Sequence, residues 1–291
     1  MTVKGKLLEH FPTLRPISQQ AARYVVDHPN EVVIASMRTL AERAGVQPST
    51  LVRLAQQLGY SGWPDLKDAY ASDLGLNSVR YGERARDLGG RSGKSDLVAE
   101  IFAAHRRNLD STQTQNSKSL RAAVAILQRA KTVYVAGFRA SFGVAHSFYY
   151  AYRLFRDTVQ LVEGQGGALE MQMRPVARHD ALVAISFAPY SRESVGAINW
   201  AKAAGARTVA LTDSGASPLA LAADTSVLFS ATSPSYFPSV AAAIAVTEAL
   251  LELLVVASGE AAVSQLNRAE QQLFESGAYM QAPGRRSPRD A

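Results

Sequence analysis

The chain reads as two domains of different class: a small all-α unit, then a doubly wound, five-stranded parallel α/β/α sandwich. Three observations predict this. Residues 36–58, SMRTLAERAGVQPSTLVRLAQQL, carry apolar side chains at helical spacing on both sides of one glycine. From Lys131 onward, short aliphatic and β-branched runs alternate with helical stretches. Strands that are apolar throughout belong to parallel sheets covered on both faces. Between the two patterns, residues 76–95 are rich in Gly, Arg and Ser without a sustained apolar period, and read as a linker. The expected partition is therefore 1–75, a linker over 76–95, 96–280, and a polar tail over 281–291.

The first domain is expected to hold a helix beginning near Ser18 and ending at Asp27, with Ala22, Val25 and Val26 inward, before His28-Pro29 stops it. A short apolar piece, 31–35, leads into the hairpin. Its first helix spans about Met37 to Ala44, with Leu40, Ala41 and Ala44 on one side. Gly45 follows where a helix commonly ends in a left-handed residue. Val46 turns inward, and Pro48 opens a second helix at a position that needs no N–H. There Leu51, Leu54, Ala55 and Leu58 bury one side and leave Gln47, Ser49, Thr50, Arg53, Gln56 and Gln57 outside. All six can hydrogen-bond a phosphate or a base edge, and none is acidic. Ala41 and Gly45 permit the close, steep crossing of a helix-turn-helix. An ordinary helical hairpin with a solvated face has the same spacing, and Gln47 is a weaker N-cap than Ser, Thr, Asp or Asn. A turn over 59–64 follows, and Pro64 opens a helix to about Leu74, with Trp63 and Tyr60 packed beneath the hairpin.

Helices are expected from Asp96 to about Thr114 and from Lys118 to Ala130, then strands at 133–136, 159–162, 181–185, 208–211 and 227–229. The helices between them run to about Phe155 and through Ala204. A long helix, Pro238–Ser258, and a final one, Ala261–Ser276, close the domain. Right-handed crossovers make such a sheet doubly wound, with a ligand crevice at the strand C-termini. Two of those ends are rich in hydroxyls. Ser141 follows the first strand at the start of a helix, and Ser186, Ser191 and Ser194 surround the end of the third. Free helix N–H groups and hydroxyls make a phosphate cradle. Serines at these places also serve as plain helix caps. Neither loop has the glycine pattern of a dinucleotide site, because Phe138 and Arg139 follow Gly137.

Composition narrows the function. The net charge is +6 and the pI about 9.6, compatible with nucleic acid. The first ninety residues are only mildly basic, so phosphate contact depends on where Arg38, Arg43, Arg53 and Lys67 stand. The absence of cysteine excludes disulfides, thiol catalysis and thiolate-bound metals, and fits a reducing cytoplasm. The N-terminal residues lack a long apolar core and a small-residue cleavage site. The apolar run 240–257 is interrupted by Glu248 and Glu252, and reads as a buried helix, not a membrane span. No metal site, cofactor or membrane association is expected.

The segments VYVAGFRAS (133–141), ISFAPYSRES (185–194) and AKAAGARTVALTDSGASPLALAAD (201–224) resemble the sugar isomerase (SIS) domain, which binds phosphosugars. SMRTLAERAGVQPSTLVRLAQQLGYSGWPDLK (36–67) resembles the N-terminal helix-turn-helix of the MurR/RpiR regulators. Their order is that family's order. The resemblance implies a cytoplasmic transcriptional regulator whose DNA grip responds to a phosphosugar-like or other anionic metabolite. It places Ser49, Thr50 and Arg53 on the recognition helix, with Arg38, Gln47 and Gln57 beside them. It places Ser141, Ser186 and Ser191 at phosphate-contacting positions, with Ser194 and Arg139 adjacent. It implies a homodimer or homotetramer that would present two readers to a palindromic operator. Two departures stand out: Ala188 and Pro189 replace a hydroxyl and a backbone donor of the usual serine loop, and Arg139 replaces a usual glycine. Arg139 at that place either binds an anion bidentately or guards the pocket. The competing reading is a SIS-type sugar-phosphate isomerase, for which Glu163, Glu193, His146 and Glu248 are candidate bases. No pair of them stands out, and no catalytic residue is assigned.

Overall fold

The computed structural model describes residues 2–73, 81–91 and 96–280. The first domain is built from α1 (Val3–His10), α2 (Pro16–Asp27), α3 (Pro29–Ile34), α4 (Met37–Arg43), α5 (Pro48–Gln57) and α6 (Trp63–Asp73). Helix α1 lies where no element was expected. Its polar VKGKLLEH pattern hides a buried pair, Val3 and Leu7, and the Thr2 hydroxyl accepts from the Gly5 N–H at 3.1 Å. Prolines open α2 and α3 in their first turns, which is why α2 starts ahead of Ser18.

The helical hairpin forms as expected. Ser36 Oγ accepts from the Thr39 N–H at 3.1 Å, a cap that contributes about 1 kcal/mol. Gly45 is left-handed at φ +66°. A Cβ there would press to 2.9 Å on Gln20 Nε2, whose amide donates to Ala44 O at 2.9 Å and closes α4. Gln47 caps α5 without a side-chain hydrogen bond. Leu40, Leu51, Leu54 and Leu66 are fully buried in one core, with Trp63 beneath them. Tyr60 is half-buried and packs against that core, with the Lys6 ammonium 4.6 Å from its ring centre.

Helix α7 (Tyr81–Arg91) lies inside the stretch expected to be a structureless linker. It presents no apolar stripe, and Gly82, Gly89 and Gly90 disguise it. The expected end of the preceding helix at Leu74, and the 281–291 tail, fall outside the described residues.

The second domain runs α8 (Leu97–Gln115), α9 (Ser117–Arg129), β1 (Val133–Gly137), α10 (Phe142–Arg153), β2 (Val159–Val162), α11 (Leu169–Met173), β3 (Ala181–Ile185), α12 (Arg192–Ala203), β4 (Arg207–Thr212), α13 (Pro218–Ala222), β5 (Thr225–Leu228), α14 (Ala241–Ser258) and α15 (Glu260–Glu275). The five strands are all parallel, in the order β2-β1-β3-β4-β5. Alternate side chains serve opposite layers. Val133, Val135, Val183 and Val209 face α9, α10 and α14, while Tyr134, Leu182 and Ala210 face α11, α12 and α13. Among the described residues α14 alone has the length and apolarity to cross a membrane. It is a core helix of its layer, with Ala242, Val246, Leu250 and Leu254 buried. Strand β5 ends before Phe229, which turns fully into the core. Its open edge is closed by α8 and α9: the Asn116 side chain accepts from the Leu228 N–H at 2.9 Å and donates to Leu228 O, and Thr112 Oγ1 accepts from the Ser230 N–H at 3.0 Å.

Candidate functional site

In this strand order the direction of winding switches between β1 and β3, and a crevice opens at their C-terminal ends. A cavity of about 380 Å³ lies there, lined by Arg139 and Ser141 after β1 and by Ser186, Phe187, Pro189 and Ser191 after β3. Gly137 ends β1 because nothing larger fits. A Cβ would stand 2.6 Å from Ala145 Cβ and 2.9 Å from Ser141 O. That close approach seats the start of α10, and Ser141 with it, against the strand.

The hydrogen-bond inventory separates the four serines. Ser141 is buried, and its hydroxyl has no hydrogen-bond partner among the described residues. Ser186 Oγ accepts from the Ser191 N–H at 3.2 Å and keeps its own proton to donate. Ser191 Oγ accepts from the Ser194 N–H at 3.1 Å and spends its proton on Ser194 Oγ at 2.8 Å, so it is the N-cap of α12. Ser194 is fully buried and donates to Ile185 O at 3.2 Å. It does not reach the cavity, contrary to the expectation for it, because it lies one turn inside α12. Its part is to hold Ser191. The free donors are thus the hydroxyls of Ser141 and Ser186.

Arg139 is left-handed at φ +54°, the conformation a glycine would take freely. Its Nη2 donates to Glu193 Oε1 at 2.6 Å. That hydrogen bond, and one from Glu193's own backbone in the first turn of α12, hold the Glu193 carboxyl below the usual glutamate range. Glu193 Oε2 is buried without a hydrogen-bond partner among the described residues. Asp213 braces the serine loop from β4. Its carboxylate accepts from the Ala188 N–H at 3.2 Å and from the Tyr190 hydroxyl at 2.7 Å, and burial together with that carboxylate pushes the Tyr190 hydroxyl far up. Sequence reasoning missed the Asp213 brace, since Asp213 lies outside the serine-rich loops.

On the helical hairpin, Arg38, Gln47, Ser49, Arg53, Gln56 and Gln57 are exposed. Thr50 is not: it is 8% exposed, because it precedes Leu54 by four residues and shares the inner side of α5. Two expected phosphate contacts are otherwise engaged. Lys67 Nζ donates to Ala35 O at 3.0 Å, and burial holds its pKa down. Arg43 pairs with Glu31 at 3.0 Å, and Glu31 also takes the Tyr24 hydroxyl at 2.8 Å. A second cavity of about 500 Å³ separates Thr39 and Arg43 from Asn199 and Lys202 of α12, so α5 does not line the gap between the domains.

The remaining candidate bases are scattered. His146 and Glu248 are exposed on α10 and α14, and Glu163 lies half-buried beyond β2. Among the described residues no three His, Asp or Glu side chains gather as a metal site would require.

Residues 1–75 match the family model of a helix-turn-helix domain of the rpiR family, and residues 126–257 match that of the SIS domain. The uncharacterised HTH-type transcriptional regulator TTE0211 of Caldanaerobacter subterraneus subsp. tengcongensis is 27% identical over 234 residues, 78% of this chain and 80% of that one. The sugar isomerase domain of an RpiR transcription factor from Sphaerobacter thermophilus is 27% identical at a TM-score of 0.58, covering 61% of this chain and 99% of that one. The Vibrio vulnificus NanR protein complexed with ManNAc-6P shares the fold over 96% of this chain and 100% of that one, at 19% identity and a TM-score of 0.58.

Proposed function

The chain belongs to the rpiR family, with an rpiR-type helix-turn-helix domain ahead of a SIS domain, and from that premise we propose that it is a bacterial transcriptional regulator controlled by a small anionic metabolite. One observation carries the reading. The described residues lining the switch-point cavity offer the unengaged hydroxyls of Ser141 and Ser186, the Tyr81 phenol and a guanidinium, and include no carboxylate, histidine or lysine. Such a wall attracts an anion and lacks the usual groups for moving a proton on carbon. Glu193 stands beside it, but a carboxylate kept ionised by Arg139 is a weak base. The reading is therefore a sensor, not an isomerase.

In this account the phosphate or carboxylate of the effector accepts from Ser141, Ser186 and Arg139, and competes with Glu193 for the guanidinium. A sugar phosphate is the effector class proposed, in keeping with the similarly folded NanR protein, which is complexed with ManNAc-6P. Arg38, Gln47, Ser49, Arg53 and Gln57 face the operator. Self-association is supported by Phe102 on α8 and Val256 on the adjoining α14, which are 58% and 78% exposed. A two-fold dimer would set two readers on a palindrome, and an effector that prefers one spacing of the readers would shift DNA affinity by that preference.

The test crosses two variants with two assays. Arg53→Ala should weaken retardation of the DNA upstream of the protein's own gene and leave sugar-phosphate thermal shifts unchanged. Ser186→Ala should do the opposite. Identical behaviour of both variants in both assays, or turnover of a sugar phosphate by a chain that never retards DNA, would overturn the proposal.

A further inference from the structure

The cavity has one wall that no part of the SIS sheet supplies. Tyr81, the first residue of α7, lines it together with Phe237, as Arg139 and the serines do. Its ring lies 5.3 Å from that of Phe237 at 32°, and 6.5 Å from that of Tyr236 at 87°. Phe237 in turn meets Phe187 edge-on at 6.4 Å, so the aromatic wall is continuous with the serine loop. From Gly82 to Gly90 every residue is exposed apart from half-buried Leu88.

This helix stands in the stretch that joins the DNA-reading domain to the sensor. We propose that Tyr81 is an effector-contacting residue, through which a ligand in the cavity fixes the linker helix. The inference rests on the anion-sensing role given to the cavity above. It adds the other half of the ligand. The anionic end meets hydroxyls and a guanidinium, while the far end meets two aromatic faces that reward a flat apolar surface, a sugar ring or an aromatic ring. It also places the readout. A ligand gripping Tyr81 pulls on the chain that leads to the reader, so occupancy reaches the first domain through a covalent link.

Inorganic phosphate and phenyl phosphate separate the two halves, with the full-length chain used throughout. Phenyl phosphate should bind about threefold to tenfold tighter than inorganic phosphate, the range expected for one aromatic contact. Tyr81→Ala should abolish that advantage and leave the affinity for inorganic phosphate unchanged, while Tyr81→Phe keeps it. Trypsin cleavage after Arg84 and Arg86, both exposed on α7, should slow with phenyl phosphate in the parent and in Tyr81→Phe, and not in Tyr81→Ala. If both anions bind and Tyr81→Ala retains the phenyl advantage or the protection, this inference fails and the sensing role stands. If neither anion binds the parent chain, the sensing role fails and takes the inference with it.

Discussion

Replacing Arg139 by glycine and by alanine isolates the strain stored at the mouth of the cavity. Arg139 is the sole non-glycine residue with positive φ among those described, at +54°. A side chain in that conformation costs roughly 1–2 kcal/mol. Arg139→Gly recovers that cost, gives back about 0.4–1 kcal/mol through the freer unfolded chain, and loses the pair with Glu193. The Arg139 side chain is 73% exposed, so screening leaves that pair at the low end, about 0.3 kcal/mol. The net is a stabilisation of about 0.5 kcal/mol. Arg139→Ala keeps the strain and loses the same pair, so it falls slightly below the parent. The two variants therefore differ by about 1 kcal/mol, or roughly 2–4 °C for a domain of this size. Calorimetric melting of the full chain reads the gap directly. Both variants lack the guanidinium, so both should lose phosphate affinity alike, which separates backbone strain from charge. If Arg139→Gly melts no higher than Arg139→Ala, the left-handed backbone is not imposed by the fold and the reasoning is wrong.

Gly137→Ala should destabilise the sheet domain by about 1–3 kcal/mol, since its methyl meets Ala145 Cβ at 2.6 Å, and should weaken phosphate binding by displacing Ser141; an unchanged melting point would refute the close packing. Asn116→Ala should cost about 1–2 kcal/mol in urea unfolding, because it strips the part-buried N–H and C=O of Leu228 of their partner; a loss below experimental error would mean that water replaces the side chain without penalty. Glu193 titrates low because Arg139 donates to it. A depressed carboxyl stabilises the fold above the ordinary glutamate pKa of about 4.3, and that contribution is lost as pH falls through the lowered folded value. The melting-point gap between the parent and Glu193→Gln should therefore be present at neutral pH and narrow in acid; a gap that instead widens as the pH falls would contradict the sign.

The doubly wound sandwich was legible because five apolar runs, each followed by a helical period, admit few other arrangements. The hairpin was legible because Gly45 and Pro48 punctuate two helical stripes at fixed offsets. Ser141, Ser186 and Ser191 were found as residues of strand ends, which any parallel sheet brings together. What periodicity could not supply was the direction of single side chains. Thr50 turned inward with Leu54, and Lys67 was taken up by Ala35 O; both outcomes depend on neighbours distant in sequence. Ser194 looked like a fourth ligand group and serves instead as the prop of Ser191. Helix α7 was invisible because it has almost no inner face. Its aromatic residue matters only because folding carries it across the chain to Phe237. Sequence alone determined the class of each domain, since hydrophobic spacing is a local property that dictates which face is buried. Tertiary structure decided which hydroxyls keep a free proton and which ring closes the cavity, since those depend on partners that only the finished packing brings within hydrogen-bond reach.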